Sequence, residues 1–386
     1  MLNNLKSYGI HNLQNLNLNK LNYALKQKFI TNYKQCIKFE KKICKITKSK
    51  YSVTCNNGTS ALLMSLLSLK MKNIFAIIPN INFVAIASIV NLLKGKYIIC
   101  DVNEKTGMID LNSFLEVINY CKKKKIKPNI FFPVHYAGNL VNLTKIKKIA
   151  KKEKIIIVED GCHSFGSKNQ LNNIVGSCAN STCTTFSFHP VKNITTIEGG
   201  AITTNNFRIY KSLLSIRNHS LIRTSLNDPY ILDNPSLNFR MGEINAEIGL
   251  QQIKLLNKFK IKRQNLTNYY IFKLRKFDKY FRIYNFKSNK IFWHLFVICL
   301  KKDLLKKKKD FMFYLKKKNI STQIHYKPLS SHRILKKNAL KCFSKSSNIF
   351  YNSQLTLPLH TKMNFNDIDY VSNAIESYIK SHIRTL

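Results

Sequence analysis

The sequence predicts an α/β fold, a mostly parallel mixed sheet sandwiched by helices with a smaller C-terminal α+β domain, on three observations. Short apolar β-type runs alternate with helix-patterned segments through the first two thirds of the 386-residue chain, as parallel strands joined by crossover helices do. After about residue 285 that alternation gives way to a strand, a lysine-rich helix, a further strand and a last helix. A chain of this length with 45% hydrophobic residues buries a large core and divides into two domains. We place them at residues 1–255 and 256–386.

In order, the predicted strands are Ile74 to Ile78, Tyr97 to Cys100, Ile130 to Pro133, Ile155 to Val158, Thr184 to Phe188 and Ala201 to Thr204. Helices are expected over Thr59 to Lys70, Leu143 to Glu153 and from Gly242 onward. In the last of these, Ile244, Ile248, Leu255 and Leu256 recur at near-helical spacing and turn one face to a core. The C-terminal elements are a strand over Ile291 to Leu300, a helix over Leu304 to Lys318, a strand around His325 and a helix over Asn366 to Ile379. The Asn- and Lys-rich stretch Met1 to Lys20 reads as loosely ordered.

Composition excludes several function classes. No stretch approaches eighteen uninterrupted apolar residues and no basic start leads into an apolar run, so a cytoplasmic protein without a membrane span is expected. The ten cysteines include no CxxC pair, which favours reduced, mostly buried thiols over disulfides or zinc. The ten histidines form neither HxH nor HExxH, so no metal site is expected. The formal charge of +45 would ordinarily suggest nucleic acid. Against that, the basic residues are overwhelmingly lysine, every arginine lies after residue 207, and the lysine runs lack interleaved aromatics. No specific nucleic-acid partner is expected.

Three stretches carry chemistry. The first, Phe186 to Gly200, sets Lys192 on a loop between two apolar strands, with Ser187 before it and Gly199-Gly200 after it. A Schiff-base lysine needs such a partly desolvated place to be neutral and nucleophilic near pH 7, and glycines let backbone approach a planar cofactor. One lysine among so many carries little alone. The second, Ile155 to Gly166, ends an apolar strand in Glu159-Asp160 with His163 three residues on. A carboxylate there lies at the crevice where open α/β sheets bind ligands, and could keep a pyridinium nitrogen protonated. Asp160 could equally cap the next helix, and His163 could be a satisfied core histidine. The third, Asn57 to Leu62, enters a helix with Gly58, Thr59 and Ser60, a phosphate seat or an ordinary capped helix.

Read together, and with Asn238-Phe239-Arg240-Met241 and Ile244 to Gln252, these stretches resemble the DegT/DnrJ/EryC1/StrS sugar aminotransferases of the fold-type-I pyridoxal 5'-phosphate enzymes. The resemblance covers nearly the whole chain. Pro133 to Gly138, the FSFHPVK string, Thr195-Thr196, His163, His294-Leu295 and Gln323 to Pro328 look like the branch acting on UDP-4-keto-6-deoxy-N-acetyl-L-altrosamine in pseudaminic acid synthesis. The resemblance implies that Lys192 holds the cofactor and moves the proton, Asp160 pairs with the ring nitrogen and His163 sits near the phenolic oxygen. Phe83 would stack on the ring, while Thr59, Ser60 and Ser187 hold the phosphate. Asn238 would reach the cofactor of a partner subunit, implying a homodimer. His135, His189, His219 and His325 are candidates for the sugar or its diphosphate. L-glutamate would be the amino donor and leave as 2-oxoglutarate.

The chain departs from that pattern in four places. Thr-x-Gly-Pro reads Thr31-Asn32-Tyr33-Lys34, a Gly reads Ile197, another reads Ser236 or Leu237, and the Pro after the lysine reads Asn193. These put local loop conformation and sugar fit in question, because glycine positions often require backbone angles that other residues resist. Alternatives are an aminotransferase for a 4-amino-4-deoxyarabinose or 3-amino sugar, or a non-catalytic cofactor-binding regulatory protein.

Overall fold

Every apolar run predicted in the first two thirds becomes a strand in the computed structural model, which describes residues 6–14, 16–169, 172–222, 230–284 and 290–383. The chain begins α1 (Leu18–Leu25), α2 (Lys34–Thr47), β1 (Tyr51–Cys55), α3 (Gly58–Ser68), β2 (Phe75–Pro79), α4 (Ala85–Leu92) and β3 (Lys96–Cys100). It continues α5 (Leu111–Lys123), β4 (Ile130–Phe131), α6 (Leu143–Lys152), β5 (Ile156–Asp160), β6 (Cys183–Ser187), β7 (Gly200–Thr204) and α7 (Phe207–Arg217). A short antiparallel pair, β8 (Leu221–Ile222) and β9 (Ile231–Leu232), precedes α8 (Glu243–Lys254) and α9 (Leu256–Leu274). The remainder is β10 (Phe281–Ile283), β11 (Phe296–Leu300), α10 (Lys302–Lys306), α11 (Lys308–Lys317), α12 (Arg333–Asn338), β12 (Ala339–Cys342), α13 (Lys345–Ser353), β13 (Gln354–Leu357) and α14 (Phe365–His382).

The main sheet runs β1-β7-β6-β5-β4-β2-β3-β12. Only β7 opposes its neighbours; the other pairs are parallel. Strands buried on both faces need near-continuous apolar sequence, which is why Ile77, Ile98, Phe131, Ile157 and Val158 all lie in the core. The covering helices follow from amphipathic spacing and caps. In α6, Leu143, Ile146 and Ala150 face inward while its lysines face out, and Asn142 caps its first turn by accepting from the Thr144 amide at 3.2 Å. A three-stranded sheet, β10-β11-β13, forms a second layer beyond residue 255, yet that same region returns β12 to the main sheet beside β3.

Several elements differ from expectation. No strand forms around His325; Gln323 makes a single bridge to Thr356. Residues 291–295 are buried but not paired as a strand, because their amides serve loops: Phe292 N–H donates to Ser167 Oγ at 2.8 Å and His294 N–H to the Ala137 carbonyl at 3.1 Å. The lysine-rich helix is interrupted at Lys307, and the long helix after Gly242 at Leu255. On α8 the inward face carries Glu243, Glu247, Gln251 and Gln252 beside Ile248, while Ile244, Leu255 and Leu256 are only half-buried. The polar residues go inward because they have partners. Glu243 accepts from the amides of Tyr33 (2.7 Å), Gln35 (2.6 Å) and Cys36 (3.2 Å), capping α2 from outside. The start of the chain is tied down where described: Lys6 pairs with Asp367 at 2.5 Å and Asn17 caps α1, while residues 1–5 and 15 lie outside the described residues. All ten cysteines are free.

Candidate active site

Because β1, β2, β4, β5 and β6 run in one direction, the segments leaving their carboxyl ends meet at one edge of the sheet. They enclose a cavity of about 580 Å³, within the range of cofactor sites. Asn57 to Ser60 follow β1, Asn82 and Phe83 follow β2, Val134 and His135 follow β4, Asp160 ends β5 with Cys162 and His163 just beyond it, and Ser187 ends β6 with His189, Val191 and Lys192 beyond it. Lys192, Asp160, His163, Thr59, Ser60, Phe83, Ser187, His189, His135 and His325 thus line one space.

The α3 entry is built for an anion. Asn57 caps it by accepting from the Ser60 amide at 2.8 Å, leaving the Gly58 and Thr59 amides without an intrahelical acceptor. Gly58 is required by a close approach: a Cβ there would sit 2.7 Å from the Ser187 Cβ. That contact brings a third hydroxyl to the helix N-terminus. Gly200 serves the same junction, since a Cβ on it would lie 2.3 Å from the Asn57 carbonyl oxygen.

On the opposite wall, burial pulls the Lys192 amine below the ordinary lysine value, against the opposing influence of Cys162 and Asp160. Its loop is held by the Lys192 amide donating to the His189 carbonyl at 3.0 Å. Asn193, where the resembling pattern has proline, is buried, and its side-chain amide donates to the Phe165 (3.3 Å) and Phe292 (3.2 Å) carbonyls. Asp160 accepts from the Cys162 amide at 3.0 Å. A buried amine, a carboxylate within its electrostatic reach and a hydroxyl-lined helix terminus fit a phosphorylated pyridine carrying an aldehyde.

A second wall is neutral. His163 Nε2 lies 2.8 Å from the Tyr326 hydroxyl, and the His163 and His294 ring centroids are 4.4 Å apart. Burial first, then the proximity of Lys192 and His325, holds His163 well below the ordinary imidazole value. His294 is pushed the same way, first by burial, and burial followed by Lys192 takes His325 to about 3. His325 Nδ1 lies 2.9 Å from Thr356 Oγ1.

Three predicted residues stand elsewhere in role or place. His135 lines the cavity, but both its ring nitrogens are engaged. The Val141 amide donates to Nδ1 at 3.0 Å, and Nε2 is 2.8 Å from Glu159 Oε2. The accepting Nδ1 makes Nε2 the donor, so His135 has no nitrogen left for a sugar. Burial alone would raise the Glu159 pKa; hydrogen bonds from His135, Ser181 and Thr184 outweigh it and leave that carboxyl lowered. His219 and Asn238 lie outside the cavity on a connection beside the α3 entry. The His219 amide donates to the Leu237 carbonyl at 3.2 Å, and the Asn56 amide to the Phe239 carbonyl at 3.1 Å. Asn238 is exposed. Conversely, Tyr8, Cys162, Glu198, His294 and Tyr326 line the cavity without having been assigned to it. Cys162, His294 and Tyr326 fall inside stretches already singled out, whereas Tyr8 has no signal in the sequence.

The model of the DegT/DnrJ/EryC1/StrS aminotransferase family matches residues 11–376. The chain is 27% identical over 375 residues, 97% of each chain, to the UDP-4-amino-4,6-dideoxy-N-acetyl-beta-L-altrosamine transaminase of Campylobacter jejuni. It is 29% identical over 359 residues, 91% of this chain and 92% of the relative, to the transaminase of that name from Helicobacter pylori. Among solved structures it resembles Helicobacter pylori PseC, an aminotransferase involved in the biosynthesis of pseudoaminic acid, with a TM-score of 0.89 and 26% identity over 97% of this chain and 99% of that one.

Proposed function

The chain belongs to the DegT/DnrJ/EryC1/StrS family of pyridoxal-phosphate-dependent aminotransferases, and we propose that this member aminates a UDP-linked 4-keto-6-deoxy sugar in pseudaminic acid biosynthesis. The substrate is of the UDP-4-keto-6-deoxy-N-acetyl-L-altrosamine type, with L-glutamate as donor and 2-oxoglutarate as the second product. The observation that carries this reading is the meeting of Lys192, Asp160 and the α3 entry in one cavity, in a chain similar over 97% of its length to a transaminase named for the corresponding 4-amino-4,6-dideoxy sugar.

Pyridoxal phosphate supplies an aldehyde that takes up the amino group and a protonated ring that draws electrons from the donor carbon. The chain's own groups do the rest. The Lys192 Nζ holds the cofactor and, its basicity lowered by burial, takes and returns the proton near neutral pH. The Asp160 carboxylate keeps a proton on the ring nitrogen. Thr59, Ser60, Ser187 and the α3 amides bind the phosphate, Phe83 covers one ring face, and His163 stands at the phenolic oxygen. His189 and His325 face the sugar.

Asn238, exposed and beside the α3 entry, is positioned on our reading to serve a partner subunit, with His219 on the same outer face; the working unit is a homodimer in the cytoplasm. Among the described residues no helix is long and apolar enough to cross a membrane. We likewise treat residues 1–255 as the cofactor-binding domain and 256–386 as the smaller one, supported by the separate β10-β11-β13 sheet.

The test is turnover of purified protein with a panel of UDP- and dTDP-linked keto sugars and L-glutamate. The expected result is preference for the UDP-4-keto-6-deoxy-N-acetyl sugar. Preference for an arabinose-type or 3-keto substrate reassigns the sugar, and a bound cofactor whose absorption ignores L-glutamate refutes catalysis.

A further inference from the structure

We propose that Tyr326 is a positioning residue for the reaction, its phenol donating to His163 Nε2 and so holding that imidazole in one tautomer and one orientation beside the cofactor. The inference rests on the reading that His163 faces the cofactor. The two side chains meet from distant parts of the chain: the hydroxyl and Nε2 are 2.8 Å apart across 163 residues, and the rings are 5.8 Å apart at 33°.

The donor direction follows from chemistry. Burial, followed by Asp160, Cys162 and Tyr8, raises the Tyr326 phenol, so it stays protonated and needs an acceptor. A neutral imidazole has one lone pair and one N–H; an Nε2 that accepts leaves the proton on Nδ1. His163 Nδ1 is buried without a hydrogen-bond partner among the described residues. Tyr326 therefore supplies the one hydrogen bond described for this ring, and removing it lets the imidazole rotate or exchange tautomers.

The phenol is itself held in place. Tyr136 donates from its hydroxyl to the adjacent His325 carbonyl at 2.7 Å, and the His325 amide donates to Gln354 Oε1 at 3.2 Å. The Tyr326 hydroxyl is thereby one of the links from the C-terminal region to the turn after β5, beside the His294 ring against His163 and the Phe292 amide on Ser167. The titratable groups around His163 are Asp160 and Cys162 on its own turn, Lys192 from the β6–β7 loop, His294 before β11, Tyr136 after β4, and His325 with Tyr326 itself.

The experiment is a pH titration of the bound cofactor's absorption band in holoenzyme of the natural sequence, Tyr326→Phe, His163→Gln and the double variant, with kcat and KM for L-glutamate measured alongside. Phenylalanine keeps the ring and its packing. We expect Tyr326→Phe to move the titration midpoint by about half a pH unit or more, the equivalent of one net hydrogen bond. It should lower kcat several-fold and leave KM within about twofold, and the double variant should shift no further than the larger single. An unmoved midpoint in Tyr326→Phe, with His163→Gln shifted, overturns the proposal and leaves the His163 reading intact. No movement in either variant overturns both, and additive shifts show that Tyr326 acts by another route and overturn the proposal alone.

Discussion

The cavity has two walls of opposite character. Lys192 and Asp160 form a charged wall, Asp160 as the last residue of β5 and Lys192 on the segment leaving the carboxyl end of β6. His163, His294, His325 and Tyr326 form a neutral wall gathered from the turn after β5, the approach to β11 and the segment before α12. The difference teaches that the amine and the acid are placed here by local strand topology, whereas the histidines and the phenol are gathered from across the whole chain and held neutral by burial. Variants on the charged wall should therefore lose turnover and keep stability, and those on the neutral wall should change the response to acid.

The largest expected effect is Lys192→Ala. Removing both the cofactor attachment and the proton carrier should lower turnover by at least about a thousandfold and abolish the attached-cofactor band in the absorption spectrum, while the urea midpoint stays level or rises. A variant that keeps the band breaks the comparison at its root. Asp160→Asn comes next, with turnover down about a hundredfold. The asparagine carbonyl can still accept from the Cys162 amide, so unfolding should change little. If Asp160→Asn lowers the urea midpoint while the folded enzyme keeps its turnover, the residue is a structural cap instead.

On the neutral wall the test is stability against pH. His325 has a folded pKa of about 3, far below the ordinary imidazole value, so the native state favours its neutral form. Its contribution is full above about pH 6.5 and is lost as pH falls toward about 3, because the unfolded chain then takes a proton that the folded one refuses. Between pH 6.5 and 5 that amounts to about 2 kcal/mol. Glu159 is also lowered, but its loss begins only below the ordinary carboxylate value, so the window from 6.5 to 5 isolates the histidines. His360, at about 4, adds to the slope from outside the cavity. Urea unfolding at the two pH values should give a shallower difference for His325→Gln; an unchanged difference would mean that its imidazole is not held neutral.

What could be read from the sequence divides along the same line. The charged wall was legible because an apolar run ending in Glu159-Asp160, and a lysine between two such runs, mark strand ends directly. The neutral wall was only half legible: His163 and His325 were named, but the Tyr326 bond that joins their elements depends on how residues 323–328 lie against β13, and no strand period announces that. His135 misled for a related reason. Its place after β4 was right, yet Glu159, on the opposite face of the strand from Asp160, claims its Nε2, and alternation along a strand does not reveal which partner is taken. Tyr33 raised a question that the fold answers. Its φ of −119° makes no demand for glycine, and the cap that α2 lacks locally comes from Glu243.

Ile197 is the departure that the fold does not absorb, and it belongs to the charged wall, five residues past Lys192. Its φ is +70°, in the left-handed region where a β-branched side chain is an outlier. At 48% exposure the side chain recovers little by burial. The conformation persists because the surroundings hold it: the Ile197 amide donates to Thr195 Oγ1 at 2.9 Å, and the Thr196 hydroxyl to the Glu198 carbonyl at 2.8 Å. Relief of about 1–2 kcal/mol of strain, less about 0.4–1 kcal/mol for the greater freedom of an unfolded glycine, leaves Ile197→Gly more stable by up to about 1.5 kcal/mol. Turnover should be unchanged, since both hydrogen bonds, each between a threonine hydroxyl and the backbone, survive the substitution. A fall in turnover with raised stability would instead mean that the strained loop helps aim Lys192, making the charged wall depend on stored backbone strain as well as on strand topology.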